Sequence, residues 1–163
     1  MQRFNFLLII GLIILLTSCS KEVKKESIII EKKLGSQAIE AFNEGKKALE
    51  EGESLFAAKK FNEVEILFPQ SDLAPRSLLM AAYAYYFQDY YQDAVAELQR
   101  FLRVYPLHEN IDYAYYLLAI SYYEQIVDEK KDLQSIINAK ENFDIVIKKF
   151  PDTDYALDAK FKI

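Results

Sequence analysis

Tryptophan is absent from this 163-residue chain, histidine and cysteine occur once each, and glycine and proline only four times each. Each scarcity removes a class of chemistry. A lone histidine, His108, cannot build the histidine pair of a zinc site or the relay of a nucleophilic triad, and it follows Pro106 in a link where it reads as solvated or capping. No two glycines lie close enough to form a phosphate-cradling loop. A single cysteine, Cys19, cannot close an internal disulfide. So little glycine and proline leaves scant turn chemistry for a many-stranded sheet and favours long helices with short links. With a net charge of −5 and no Lys/Arg block outside the amino-terminal tail, the chain lacks the basic face that phosphate binding needs, so no nucleic acid is expected as a partner. The adjacent carboxylates Asp128 and Glu129 fall in a charged run that reads as a solvated loop rather than an acid–base pair. Neither an enzyme nor a metal site is expected.

What is present is a folded composition, 52% hydrophobic and 28% charged, with a repeat written into it. Residues 82–106 form one complete two-helix unit, marked by Ala82, Tyr85, Ala94, Leu98 and Pro106. Thirty-seven positions earlier the same marks fall on Gly45, Ala48, Ala57, Phe61 and Pro69. Thirty-seven later they fall on Ala119 and Tyr122, and after a slip of eight on Ala139, Phe143 and Pro151. The expected fold is all-α, with helical pairs at about 37–69, 73–106 and 112–151 and the start of a fourth at 154–163.

Local spacing supports each pair. Ala41, Phe42, Gly45, Ala48 and Leu49 step at 3–4 and give the first helix one apolar stripe, while Ala57, Phe61 and Val64 do so on the second. Gly45 costs roughly 1 kcal/mol against alanine inside a helix, so a close helix crossing is expected there. Gly52 can stop the first helix, Pro69 ends the second, and Pro75 suits the first turn of the third. In the third pair the charged residues from Val127 to Asp132 read as a longer loop. These marks resemble the tetratricopeptide repeat, with a period three residues longer than its minimal 34. One hairpin cannot cover both sides of its apolar surface, so stacked neighbours supply the rest. The last helix lacks such a neighbour, which predicts continuation into further repeats.

The amino terminus sets the compartment. Residues 4–16 form an apolar run of about a dozen residues, signal-peptide length and short of the ~20 that span a bilayer. Leu16-Thr17-Ser18-Cys19 then resembles the lipobox of bacterial lipoproteins, which implies that residues 1–18 are removed and that Cys19 carries covalent lipid, palmitate among its chains. The other reading of Cys19 is an unpaired thiol. One acyl chain holds marginally and several hold durably. Ser20, where aspartate would signal inner-membrane retention, points to the outer membrane. Residues 19–36 read as a flexible tether, with Ile28 to Ile30 as a local contact; Lys21, Lys24 and Lys25 could instead touch anionic head groups, against the offsetting Glu22 and Glu26.

Taken together, the lipobox, the tether and the segments LLMAAYAYY, YYQDAVAELQRFLRVYP, NIDYAYYLLAISYYEQI and KKFPDTDYALDAK resemble the BamD (ComL) family of outer-membrane assembly lipoproteins. The resemblance implies a non-enzymatic subunit of the β-barrel assembly machine, on the periplasmic face of a Gram-negative outer membrane. It implies as partners a BamA-like barrel protein, companion lipoproteins and unfolded outer-membrane substrates, and no cofactor beyond the lipid on Cys19. Family members have about five repeats, so the repeats that dock on the barrel protein are expected beyond residue 163. A different envelope lipoprotein, such as a secretin pilotin or a cell-wall adaptor, is the alternative.

In stacked hairpins the first helix of each pair lines the concave side. Helical spacing places Leu79, Tyr83, Tyr86 and Phe87 there in the second unit and Tyr113, Tyr116, Ile120 and Tyr123 in the third. Phe42, Lys46 and Leu49 are the first-unit counterparts. Tyrosine pairs a flat apolar face with a hydroxyl that meets peptide carbonyls, which suits an extended apolar or aromatic segment. Each of these tyrosines has a second reading, as inter-repeat core.

Overall fold

A computed structural model describes residues 24–127 and 133–163, with side chains described from residue 33 on except for residue 127. Cys19, the apolar leader and the charged insertion at 128–132 lie outside the described residues. Among the described residues seven α-helices follow in chain order: α1 (Lys24–Glu50), α2 (Ser54–Leu67), α3 (Ala74–Phe87), α4 (Tyr91–Val104), α5 (Ile111–Glu124), α6 (Leu133–Lys149) and α7 (Asp154–Lys162). A short 3₁₀ turn, Gln125–Val127, follows α5. No strand occurs among the described residues, so the all-α expectation holds.

Helix α1 corrects the tether. Residues 24–36 are helical in continuity with 37–50, not flexible, because no proline breaks them and a helix already nucleated extends at little cost. The side chains of Ile28 to Ile30, and with them the expected local contact, lie outside the described ones. The stretch up to Leu34 belongs to a separate unit, and the repeat body is Gly35–Ile163.

Within the body, α2 returns antiparallel along α1. The turn closes with the Glu53 amide donating to the Ala48 carbonyl at 2.8 Å, and Gly52 adopts φ +83°. Gly45 is the crossing point: a Cβ there would lie 2.8 Å from Cε1 of Phe61. Phe61 in turn meets Phe42 edge-on at 5.4 Å. The expected close approach is therefore present, with a buried aromatic filling the space that glycine leaves.

The repeat marks are the core. Ala57, Phe61, Ala82, Ala94, Leu98, Ala119 and Phe143 are all buried, and Tyr85 and Tyr122 are half-buried against the same clusters. Small residues let helices approach while one large side chain per unit, Phe61, Leu98 or Phe143, fills the crossing, which is how the sequence register becomes a packing register. Helix α3 opens with Pro75 in its first turn, where a missing amide proton costs nothing. Helix α7 is capped by Thr153, whose Oγ1 accepts from the Ala156 amide at 3.2 Å. At the α5 entrance the Asn110 amide donates to His108 Nδ1 at 3.1 Å, a bond within the link, while the helix itself has no side-chain cap.

A side-chain clasp that spacing did not suggest joins successive units. Arg100 on α4 pairs with Glu97 on its own helix at 2.8 Å and reaches Glu65 on α2, a carboxylate only 8% exposed. Asn62 completes the clasp by donating to Glu97 at 3.0 Å. Burial lowers the proton affinity of Arg100, but the bonds from Glu97 and Glu65 outweigh it and leave the guanidinium held more firmly in its charged form.

Candidate functional site

The first helices of the pairs, α3, α5 and α7, stand side by side and enclose a concavity of ≈ 360 Å³. Its lining is Arg76, Leu79, Met80 and Tyr83 from α3, Asn110 and Tyr113 from the α5 entrance, and Tyr155 from α7. Arg76, Met80 and Tyr83 follow at 4 and 3, so one face of α3 presents a cation, a flexible thioether and an aromatic in line.

Tyr113 and Tyr155 build the far wall, with Tyr116 behind them. Tyr155 stacks on Tyr116 at 5.1 Å and meets Tyr113 at 5.4 Å. Tyr116 donates its hydroxyl to Asp158 Oδ2 at 2.6 Å, which fixes the ring against α7. Burial pushes the Tyr113 hydroxyl well above its ordinary value, with Tyr83 and Tyr155 adding to the effect. Burial and then the Asp158 bond raise Tyr116 in the same direction. Tyr86 is raised as well, first by burial and then by the charge of Glu124. These rings stay neutral at physiological pH, and the wall offers apolar faces with hydroxyl donors rather than charge.

The sequence-predicted residues divide. Tyr83 and Tyr113 line the concavity and Tyr116 supports it from behind. Phe87 is 56% exposed one turn beyond Tyr83, with ring centroids 6.2 Å apart, and continues the aromatic strip past the concavity. Tyr86 packs into the second core cluster and tilts on Tyr91 at 5.8 Å, and Ile120 joins the same cluster. Tyr123 packs edge-on against Phe143 at 6.2 Å, with the Lys162 ammonium 5.3 Å above its ring.

Phe42 requires correction, whereas Leu79 does reach the concavity. Phe42 is 6% exposed and Leu79 is 5% exposed, so Phe42 is core and Leu79 gives the concavity only its floor. A first helix is covered both by its own partner and by the neighbouring unit, which leaves a narrower open strip than a single-helix projection suggests. Phe42 shows this directly, held between the Phe61 ring and the Arg76 guanidinium 5.5 Å away. Leu49 is half-buried against the first core, Lys46 is exposed on α1, and neither lines the concavity.

Sequence reading missed Arg76, Met80, Asn110 and Tyr155. Stepping back from Tyr83 by 3 and 7 would have found Met80 and Arg76. Tyr155 required knowing that α7 folds back beside α5. Among the described residues no group of His, Cys, Asp and Glu could hold a metal, and no helix is long and apolar enough to cross a membrane.

Comparison with known proteins agrees with this architecture. A family model described as YfiO, outer membrane lipoprotein, matches residues 35–163. The chain is 35% identical over 146 residues to the outer membrane protein assembly factor BamD of Caulobacter vibrioides, covering 89% of this chain and 47% of that protein. It is 36% identical over 162 residues to that of Rickettsia prowazekii, covering 99% of this chain and 61% of that protein. A similar protein of Neisseria gonorrhoeae is 34% identical over 113 residues, covering 63% of this chain and 42% of that protein. The chain thus spans about half the length of these relatives.

Proposed function

This chain belongs to the YfiO family of outer membrane lipoproteins, and we propose that it is a non-enzymatic subunit of the machine that assembles proteins into the outer membrane. The observation that carries the proposal is the match of residues 35–163 to that family, alongside relatives named as assembly factors. Lipid on Cys19 holds the chain to the periplasmic face of the outer membrane. Its partners are a BamA-like barrel protein and companion lipoproteins.

The concavity between α3, α5 and α7 receives extended stretches of unfolded outer-membrane proteins. Its chemistry supports this role: Tyr83, Tyr113 and Tyr155 offer flat apolar faces, while Arg76 and Asn110 at the rim offer hydrogen-bond donors to peptide carbonyls or a carboxylate. Side chains of alternating apolar and polar character, as barrel strands carry, meet both kinds of group. The site needs no titrating residue, because holding a segment requires area and hydrogen bonds rather than proton transfer.

Capture of the tagged protein from envelopes tests the assignment. Recovery of a barrel protein carrying periplasmic repeats supports it. Recovery of a secretin or of peptidoglycan enzymes in its place replaces it with the pilotin or adaptor reading.

A further inference from the structure

The last turns of the second helices, and the link after α4, carry apolar side chains that stand exposed. Leu107 is 96% exposed, Ile66 63%, Leu67 59% and Val104 49%. Leu67 and Val104 are equivalent positions, 37 residues apart, so the feature repeats with the fold. All four lie at one end of the stack, where α2 and α4 finish and α3 and α5 begin. The pairing of Glu44 with Lys60 and of Phe42 with Phe61 shows α1 antiparallel to α2, so the body's first residue, Gly35, enters at this same end. Gly35 lies sixteen positions after Cys19 (35 − 19), and with the residues from 24 on helical that segment reaches at most about 35 Å.

We propose that this edge, centred on Leu107, Leu67 and Val104, rests on the lipid surface into which Cys19 is anchored. The occupant follows from continuity with the anchor: the apolar edge lies at the end where the chain arrives from the membrane. The neighbouring exposed charges, Asp72, Arg103 and Glu109, are of both signs, so the contact is aliphatic rather than electrostatic and does not require anionic lipid. A few aliphatic side chains bind a bilayer weakly by themselves, but the tether holds them at high effective concentration. The contact would fix which way the concave face points relative to the membrane. This inference rests on the lipoprotein assignment made above.

The test uses the full lipidated chain in vesicles of phosphatidylethanolamine and phosphatidylglycerol, with a nitroxide label at Leu107→Cys, at Leu67→Cys or, as control at the opposite end of the stack, at Glu51→Cys. Oxygen and a water-soluble nickel chelate report depth by collision. The expected result is a nickel-chelate accessibility at 107 and 67 several-fold below that at 51, unchanged when phosphatidylcholine replaces the anionic lipid. Equal accessibility at all three positions in protein that floats with vesicles overturns the edge contact alone and leaves the ridge to a protein partner or a second copy. Failure to float overturns the anchor and the edge contact with it.

Discussion

Asp89 repeats the left-handed backbone of Gly52 one period later: φ is +61° at Asp89 and +83° at Gly52, and the two are 37 residues apart (89 − 52). Both end the first helix of a pair. Glycine adopts this conformation without a Cβ penalty, and Asp89 is held there with its carboxylate accepting the Tyr91 hydroxyl at 2.6 Å.

Gly52→Ala is therefore expected to lower stability by about 1 kcal/mol, since an L side chain in this region costs that much or more. Asp89→Gly removes the same penalty together with an exposed hydrogen bond, and is expected to stay within about 0.5 kcal/mol of the parent. Urea unfolding of both variants checks the pair. Equal losses would contradict the shared backbone role.

Gly45 and Gly35 give opposite responses to alanine on one helix. At Gly45 the added Cβ would lie 2.8 Å from the Phe61 ring, which is fully buried and has no room to swing. The clash, about 1–3 kcal/mol for overpacking, exceeds the propensity gain of about 1 kcal/mol. At Gly35 nothing lies within 4 Å, so only the gain remains. Gly45→Ala should lower the melting temperature, and Gly35→Ala should leave it unchanged or raise it.

The clasp between units is asymmetric in its consequences. Arg100→Ala leaves the largely buried Glu65 carboxylate without its cation and is expected to cost about 2–3 kcal/mol. Arg100→Met together with Glu65→Leu removes both charges and should recover most of that loss. A double-mutant cycle in urea measures the coupling, and additive losses would contradict it.

Alkaline pH should loosen the tyrosine wall. Tyr113 and Tyr116 titrate above the ordinary value of 10.0, so the folded chain favours the protonated phenols. Above pH 10 the unfolded chain has lost these protons while the folded chain keeps them. Stability is thus fully present below pH 10 and falls as pH rises toward the folded values. Tyr113→Phe should flatten this decline, and identical declines in parent and variant would contradict the assignment to Tyr113.

How far the fold was legible follows from where its signals lie along the chain. The register of Gly45, Ala57 and Phe61 with Ala82, Ala94 and Leu98 was readable because a helix crossing demands a small residue at a fixed period and a large one beside it. The amino-terminal extension of α1 was not, because a charged stretch with three isoleucines looks the same whether helical or extended until a neighbouring helix seeds it. The site was half legible. Tyr83 and Tyr113 follow from helical spacing, whereas Phe42 is covered by Phe61 of its partner helix and Arg76 of the next unit, and a single-helix projection contains no such cover. Glu65 and Arg100 lie 35 residues apart on helices that are not consecutive, so no local spacing marks them as partners.

The claim that the tyrosine-walled concavity holds unfolded outer-membrane protein segments is tested most directly by titrating a fluorescent carboxy-terminal peptide of such a protein against the full chain in nanodiscs. The comparison is with Tyr83→Ala, Tyr116→Ala and the exposed control Arg103→Ala. Loss of one stacking or supporting aromatic is expected to weaken binding roughly ten-fold, about 1.4 kcal/mol, with the control unchanged. Equal affinity for all four proteins would contradict the account.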